Sequence, residues 1–264
     1  MRVLMGAVGN VGTSPAGPLP SAAFFDFDHT LLHGDAGVVF GWTLAEWTFE
    51  KGRHLPEPER RRHNAAASAH IARMIGTGVV YKTLNAVGIL KRSKLHELAY
   101  RFLEGLPAAE MSARMARVWQ EKLADLLYPK MREVIETHRK EGRRIVIVTT
   151  GMTELVSHSK GVLGADIDII GTTMRVTDGI WEGRVDGPLY GVQKALAVRE
   201  WAQKAQVDLS ASYAYSDHYS DLAFLQSVGH PVAVNPDLRL RLHARRTGWP
   251  VLNVLPGPRA RRSS

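Results

Sequence analysis

The sequence contains no cysteine among its 264 residues. Disulfide bridges, thiolate metal sites and a cysteine nucleophile are therefore excluded. Long apolar runs are also absent. A transmembrane helix needs about 20 consecutive apolar residues, and the best candidate, residues 71–90, is interrupted by Arg73 and Lys82. The amino-terminal stretch carries one early charge, Arg2, and is broken by glycine and proline, which does not fit a secretory signal. We therefore expect a cytoplasmic protein without a transmembrane segment.

A glycine-rich stretch, GAVGNVG, occupies residues 6–12. A dinucleotide-binding loop of this kind must open a helix, but Pro15, Pro18 and Pro20 follow and prevent one. We predict instead that residues 1–21 form a flexible amino-terminal arm.

The net charge is +8, from 34 Lys and Arg against 26 Asp and Glu. Much of the excess lies in three stretches, which are ERRRH (59–63), RLRLHARRTGW (239–249) and PRARRSS (258–264). They show no interleaving of basic and aromatic residues and no nucleic-acid-binding signature. We interpret them as solvated faces and, for residues 257–264, a basic flexible tail. Nucleic acid is not expected as a partner.

From Ser21 onward, strand-like and helix-like segments alternate, with one long interruption. Strands are predicted at apolar or alternating runs, and a hairpin is predicted to turn at Asp178-Gly179. The strand segments are AAFF (22–25), IVIV (145–148), DIDII (166–170), SYAYSD (212–217), PVAVN (231–235) and WPVLNV (249–254). Strands that alternate with helices predict an α/β fold with a doubly wound, Rossmann-like parallel sheet. Residues 22–33 and 129–256 would form this core.

The interruption, residues 34–128, consists almost entirely of amphipathic helical patterns separated by glycine and proline. It follows the first strand, so it is an insertion whose two ends must return to nearly the same place. Open α/β sheets bind ligands at the carboxyl ends of their strands. We therefore predict that residues 34–128 form a helical cap domain over that edge.

Polar side chains follow the ends of three predicted strands, and a lysine begins a predicted helix. These residues are Asp26 and Asp28, Thr149, Asp217 and Asp221, and Lys194. Carboxylates clustered without histidine or cysteine favour a hard cation, most often Mg²⁺. A lysine and a hydroxyl suit a phosphoryl group, and a carboxylate can itself attack phosphorus. One acid of the first pair would then be the nucleophile and the other would transfer protons.

Each of these residues also has a structural alternative. The two acids of the first pair could cap a helix, and Lys194 could face solvent. Thr149 could make only local hydrogen bonds, and Asp221 could simply favour a helix dipole.

Four segments, DFDHT, IVIVTTG, QKALAV and YSDHYSDL, resemble in this order the motifs of the haloacid-dehalogenase-like phosphatases, over roughly Ala22 to Val254. The helical insertion is similar to that of the phosphoserine-phosphatase-like branch. The resemblance implies Asp26 as the nucleophile and Asp28 as the proton-transfer group. It also implies a Mg²⁺ cofactor, which Asp26, Asp217 and the backbone carbonyl of Asp28 would bind and Asp221 would support. It further implies a phosphate site, to which Thr149, Thr150 and Lys194 would bind.

Some positions depart from the family pattern. His29, Thr150 and Ser216 stand where smaller residues are common. Asp35 lies near the position where phosphoserine phosphatases carry a longer acid that contacts the substrate amine. Asp35 is therefore a candidate substrate contact, but it does not identify phosphoserine as the substrate.

The leading interpretation is a Mg²⁺-dependent phosphatase that hydrolyses a small-molecule phosphomonoester through an aspartyl-phosphate intermediate. A phosphotransferase with the same intermediate and a non-catalytic regulatory protein of the same fold are the alternatives. The sequence predicts neither the substrate nor the oligomeric state.

Overall fold

The computed structural model describes residues 19–86, 99–187 and 189–254. The glycine-rich stretch, most of the predicted arm, the predicted basic tail and the first part of the predicted helix at residues 93–106 lie outside this range. Within the described ranges, none of the helices combines the length and apolar character needed to cross a membrane.

Seven strands form a single sheet in the order β4-β3-β2-β1-β5-β6-β7. Neighbouring strands pair in parallel, except that β3 and β4 are antiparallel. The strands are β1 (Ala22–Phe25), β2 (Arg144–Met152), β3 (Asp168–Thr177), β4 (Ile180–Asp186), β5 (Tyr213–Ser216), β6 (His230–Val234) and β7 (Val251–Leu252). The predicted parallel α/β sheet is confirmed.

The predicted hairpin joins β3 to β4. Asp178 and Gly179 occupy its turn with φ of +50° and +77°, the left-handed conformation that a tight two-residue turn requires. The DIDII segment and the first arm of the hairpin, predicted separately, form one continuous strand, β3.

Nine helices lie in the described residues, together with short π- and 3₁₀-helical turns between Trp119 and Leu126 and at Tyr219–Asp221. The helices are α1 (Ala36–Arg53), α2 (Glu59–Ala86), α3 (Ala108–Val118), α4 (Pro129–Lys140), α5 (Thr153–Ser157), α6 (Lys160–Leu163), α7 (Val192–Ala205), α8 (Leu222–Leu225) and α9 (Leu238–Thr247). Pro129 begins α4, a position that suits proline because the first helical residue needs no amide donor.

The sheet is covered on both faces. Side chains of β1 alternate: Ala23 and Phe25 belong to one buried apolar cluster, and Ala22 and Phe24 belong to the other. The first cluster includes buried residues of α4 and of the helical insertion, whereas the second includes those of α7, α8 and α9. Strands buried on both faces explain the continuous apolar runs in the sequence.

The two ends of the insertion meet, as its position between β1 and β2 requires. His33 N donates to Leu126 O at 2.7 Å, and Tyr128 N donates to Leu31 O at 2.9 Å. Within the insertion, the helical prediction is wrong for residues 102–107. That stretch turns and runs beside β4, where Gly105 N donates to the Trp181 carbonyl at 2.9 Å.

The strand order reverses direction at β1. The chain builds the sheet outward on one side through β2, β3 and β4 and then on the other side through β5, β6 and β7. The carboxyl ends of β1 and β5 therefore lie side by side at a topological switch point, where open α/β sheets characteristically form their ligand sites.

Candidate active site

Asp26 and Asp28 leave the carboxyl end of β1. Asp26 N still donates to Tyr215 O of β5 at 2.9 Å, so the first acid lies at the switch point. A tight turn follows, in which His29 adopts a φ of +60° and Leu31 N donates to Phe27 O at 2.9 Å. The carboxylate of Asp28 then accepts a hydrogen bond from Ala36 N, at the start of α1, at 2.8 Å. Both acids are thus held by the backbone around them.

Lys194 reaches the first of these acids from α7. Its side chain is 1% exposed, and its Nζ donates to Asp26 Oδ1 at 2.6 Å and to Asp221 Oδ2 at 2.7 Å. Burial alone would lower the pKa of Lys194, but the carboxylates of Asp221 and Asp26 outweigh it and raise that pKa. Lys194 is therefore a charged internal counterion, and the solvent-facing alternative is wrong.

Asp221 is buried and also accepts a hydrogen bond from Ser216 Oγ at 2.9 Å. The sequence marked Ser216 only as a departure from the family pattern and did not reveal this contact. Asp221 therefore belongs to a buried charged cluster with Asp26 and Lys194. Its role is more than a favourable interaction with a helix dipole.

Asp217 follows β5 directly. The β1–β5 register pairs Phe25 with Tyr215, so Ser216 lies opposite Asp26 and Asp217 is the next residue. Burial and the negative charges of Asp26 and Asp221 raise the pKa of Asp217 to about 8. Its backbone carbonyl accepts a hydrogen bond from Asp237 N at 2.9 Å, which ties this loop to the start of α9.

The pKa of Asp26 is raised by burial, an effect that the Lys194 ammonium opposes. The pKa of Asp28 is raised well above its ordinary value by burial and by the charge of Asp35. At neutral pH these carboxyl groups would therefore hold protons more readily than ordinary acids.

The irregular end of β2 faces the two acids. The pairing of β2 with β3 shifts register between Val148 and Met152, an interruption of the kind common beside active sites. Within it, Gly151 N donates to Thr149 Oγ1 at 2.9 Å. A Cβ added at Gly151 would lie 3.2 Å from Thr149 Oγ1 and 3.8 Å from Asp28 Oδ2, so the hydroxyl and the acid flank this glycine.

Two side chains that sequence reasoning missed hold the same loop. Tyr100, from the insertion, donates its hydroxyl to the carbonyl of Thr150 at 3.1 Å, and Thr172 of β3 donates to that carbonyl at 3.2 Å. Both are buried. No local signal marks them, since the contacts depend on the packing of the insertion and β3 against β2.

Asp35, the candidate substrate contact, caps α1. Its Oδ1 accepts a hydrogen bond from Val38 N at 2.9 Å, and the side chain is half-buried. The structure therefore places Asp35 near Asp28 with a capping role, and contact with a substrate stays a prediction.

The arrangement is chemically suited to Mg²⁺. No three acidic or histidine side chains form a ready-made metal cage in the described parts of the chain, but Mg²⁺ usually takes only one or two carboxylates and completes its shell with water and phosphate. Asp26 and Asp221 share the Lys194 ammonium group, and burial together with the negative charges of Asp26 and Asp221 raises the pKa of Asp217. This surplus of negative oxygen donors fits a hard divalent cation.

The sequence is similar to those of known hydrolases. The family model for haloacid dehalogenase-like hydrolases matches residues 23–226. Phosphoserine phosphatase SerB1 of Mycobacterium tuberculosis is 34% identical over 237 residues, which cover 88% of this chain and 70% of the relative.

Among solved structures, a protein of unknown function from Bordetella pertussis superposes with a TM-score of 0.67 at 22% identity, covering 89% of this chain and 99% of that one. A substrate-bound phosphoserine phosphatase superposes with a TM-score of 0.56 at 18% identity, covering 88% and 92%. At these identities the two structures support the fold alone.

Proposed function

Because the chain belongs to the haloacid dehalogenase-like hydrolase family, we propose that it is a Mg²⁺-dependent phosphatase that hydrolyses a small organic phosphate through an aspartyl-phosphate intermediate. The observation that carries the proposal is the buried contact of Lys194 with Asp26 and Asp221 at the end of β1, beside Asp217. It brings together, at one sheet edge, the groups that would serve as nucleophile, counterion and cation ligands.

Asp26 would act as the nucleophile. Lys194 engages its Oδ1 at 2.6 Å, and its Oδ2 lies 3.5 Å from Thr30 Oγ1. Oδ2 would therefore attack phosphorus, and the bond between phosphorus and the leaving oxygen would break. Lys194 would hold the carboxylate in one orientation and stabilise the charge on the phosphoryl oxygens.

Asp28 would transfer the protons. Burial and the charge of Asp35 raise its pKa well above the ordinary value, and a carboxyl group that retains its proton more readily suits a general acid that protonates the leaving oxygen. The resulting carboxylate would then take a proton from the water that attacks the phosphorus of the aspartyl-phosphate. That second step releases inorganic phosphate and regenerates the carboxylate of Asp26.

The loop at the end of β2 would bind the phosphate. Thr149 and Thr150 would contact its oxygens, since Thr149 Oγ1 and Asp28 flank Gly151. Asp26, Asp217 and the carbonyl of Asp28 would hold Mg²⁺, with Asp221 supporting them. The cation would neutralise part of the charge on the phosphoryl group.

Residues 34–128 would serve as the cap, and its helices would select the organic part of the substrate. Two observations support this role. The insertion leaves and rejoins the core immediately beyond Asp28. Its Tyr100 donates a hydrogen bond to the Thr150 carbonyl, in the loop at the end of β2 that would bind phosphate. Asp35 would lie at the substrate side of Asp28.

The test is turnover of an aryl phosphate by Asp26→Asn with Mg²⁺ present. An amide cannot form the phosphorylated intermediate, so we expect kcat to fall by about 10³-fold or more. Asp178→Asn is the matched control, because it makes the same replacement at an exposed residue of the β3–β4 turn and should retain activity within about tenfold. Residual activity of Asp26→Asn within about tenfold of wild type would refute the assignment.

Metal dependence is tested separately. EDTA should abolish turnover and Mg²⁺ should restore it. If added alcohols yield phosphorylated alcohol in preference to inorganic phosphate, the same site is a phosphotransferase. Folded, metal-supplemented protein that cleaves no phosphate ester would indicate the non-catalytic alternative.

A further inference from the structure

The outer face of α9 carries an apolar crest between two pairs of arginines. At 100° per residue, Leu238 and Leu242 lie opposite the buried residues Leu240 and Ala244. The two crest leucines are 72% and 44% exposed. Arg239 and Arg246 lie on one side of this crest, and Arg241 and Arg245 lie on the other.

These arginines have no acidic partner among the residues that the structure describes. The guanidinium of Arg239 lies 5.6 Å from the centre of the Tyr219 ring. The nearest acid in sequence, Asp237, is engaged by the backbone amides of Leu240 and Tyr219. Elsewhere many exposed basic side chains pair with carboxylates, for example Lys204 with Glu200 on α7 at 2.7 Å.

We propose that the outer face of α9 is a docking surface for an anionic lipid membrane. Leucines that project from the centre of an exposed face can enter the interfacial region of a bilayer, while flanking arginines reach the headgroup phosphates. Four arginines that lack an acidic partner among the described residues complement an anionic lipid surface. A nucleic acid would use the arginines but leave the leucines exposed.

The position of α9 relates this surface to the active site. Asp237 N, immediately before α9, donates to the carbonyl of Asp217 at 2.9 Å. The first turn of α9 therefore begins beside the proposed metal ligand. A chain docked through α9 would hold its catalytic edge close to the headgroup layer. The docking surface does not depend on the phosphatase assignment.

The experiment is sedimentation of the full chain with vesicles of phosphatidylcholine alone or with about 30% phosphatidylserine. We expect wild type to pellet only with the anionic vesicles. Arg245→Gln with Arg246→Gln should weaken binding about 10- to 30-fold, since each arginine near an anionic surface contributes appreciably. Leu238→Ser with Leu242→Ser should weaken it about fivefold or more.

Arg132→Gln with Lys140→Gln is the matched control. Both residues are exposed on α4, which covers the opposite face of the sheet, and the variant loses the same charge. It should bind as wild type does, and an unchanged urea unfolding transition will show that the arginine and leucine variants are folded.

Three results would overturn the proposal. Wild type could remain in the supernatant with anionic vesicles, or the α4 control could lose as much binding as the α9 arginine variant. In the third, the leucine variant binds anionic vesicles as wild type does, and single-stranded RNA displaces both proteins from the vesicles. That result would identify a surface that binds polyanions in general.

Discussion

Replacing Lys194 with methionine tests the geometry of the charged cluster without reference to any substrate. Methionine has similar length and can occupy the same internal space, so the main change is the loss of the ammonium group. The variant leaves the carboxylates of Asp26 and Asp221 without the cation that now lies 2.6 and 2.7 Å away. Because all three groups are buried, solvent cannot replace the lost interactions.

Removing one partner of a buried ion pair costs about 3–5 kcal/mol. For a chain of this size, that corresponds to a melting temperature roughly 10 °C lower. The loss should depend on pH. Burial already raises the pKa of Asp26, and Lys194 opposes that rise; without the lysine, the folded-state pKa of Asp26 moves further above its unfolded value. Stability of the variant is therefore best preserved below about pH 4 and falls as the pH rises.

The measurement is urea unfolding of wild type and variant at several pH values, with EDTA present so that no cation compensates. Lys204→Met is the control, because this lysine lies on the same helix and its pairing with Glu200 is exposed. The control should unfold at the same urea concentration as wild type. If Lys194→Met were as stable as wild type at pH 8, or lost equal stability at every pH, the buried charge network would be refuted.

Three further predictions concern the surroundings of the cluster. Gly151→Ala should lower kcat/KM about tenfold or more, since the methyl would lie 3.2 Å from Thr149 Oγ1; wild-type kinetics would contradict this placement. Tyr100→Phe should lower kcat several-fold and weaken inhibition by inorganic phosphate, because the Thr150 carbonyl loses a donor at 3.1 Å; an effect on stability alone would assign Tyr100 a structural role. Burial lowers the pKa of His138 to about 4, so this histidine stays neutral in the folded protein while it gains a proton in the unfolded chain. The free energy of unfolding should therefore fall by about 2–3 kcal/mol as the pH falls from about 6.5 to 4. His138→Gln should flatten that dependence in urea unfolding, and an equally steep profile would contradict it.

Much of the fold was predictable because it depends on short-range patterns. The β-branched run at residues 145–148 forms the interior of β2, and Asp178-Gly179 forms the predicted turn. The pattern was misleading at residues 102–107. Their apolar spacing fits a helix, but hydrogen bonding to β4 overrides that local preference.

The candidate site divides in the same way. The sequence alone predicted the alternation of strands and helices. Because residues at the carboxyl ends of parallel strands share one edge, it also predicted that Asp26, Asp28, Thr149 and Asp217 would lie together. Only the tertiary structure decided that Lys194 is buried between Asp26 and Asp221, and that Tyr100 reaches the Thr150 carbonyl. It also decided that Leu238 and Leu242 face outward. Alternation follows from local backbone geometry and side-chain periodicity, whereas burial and pairing depend on which distant segments pack together.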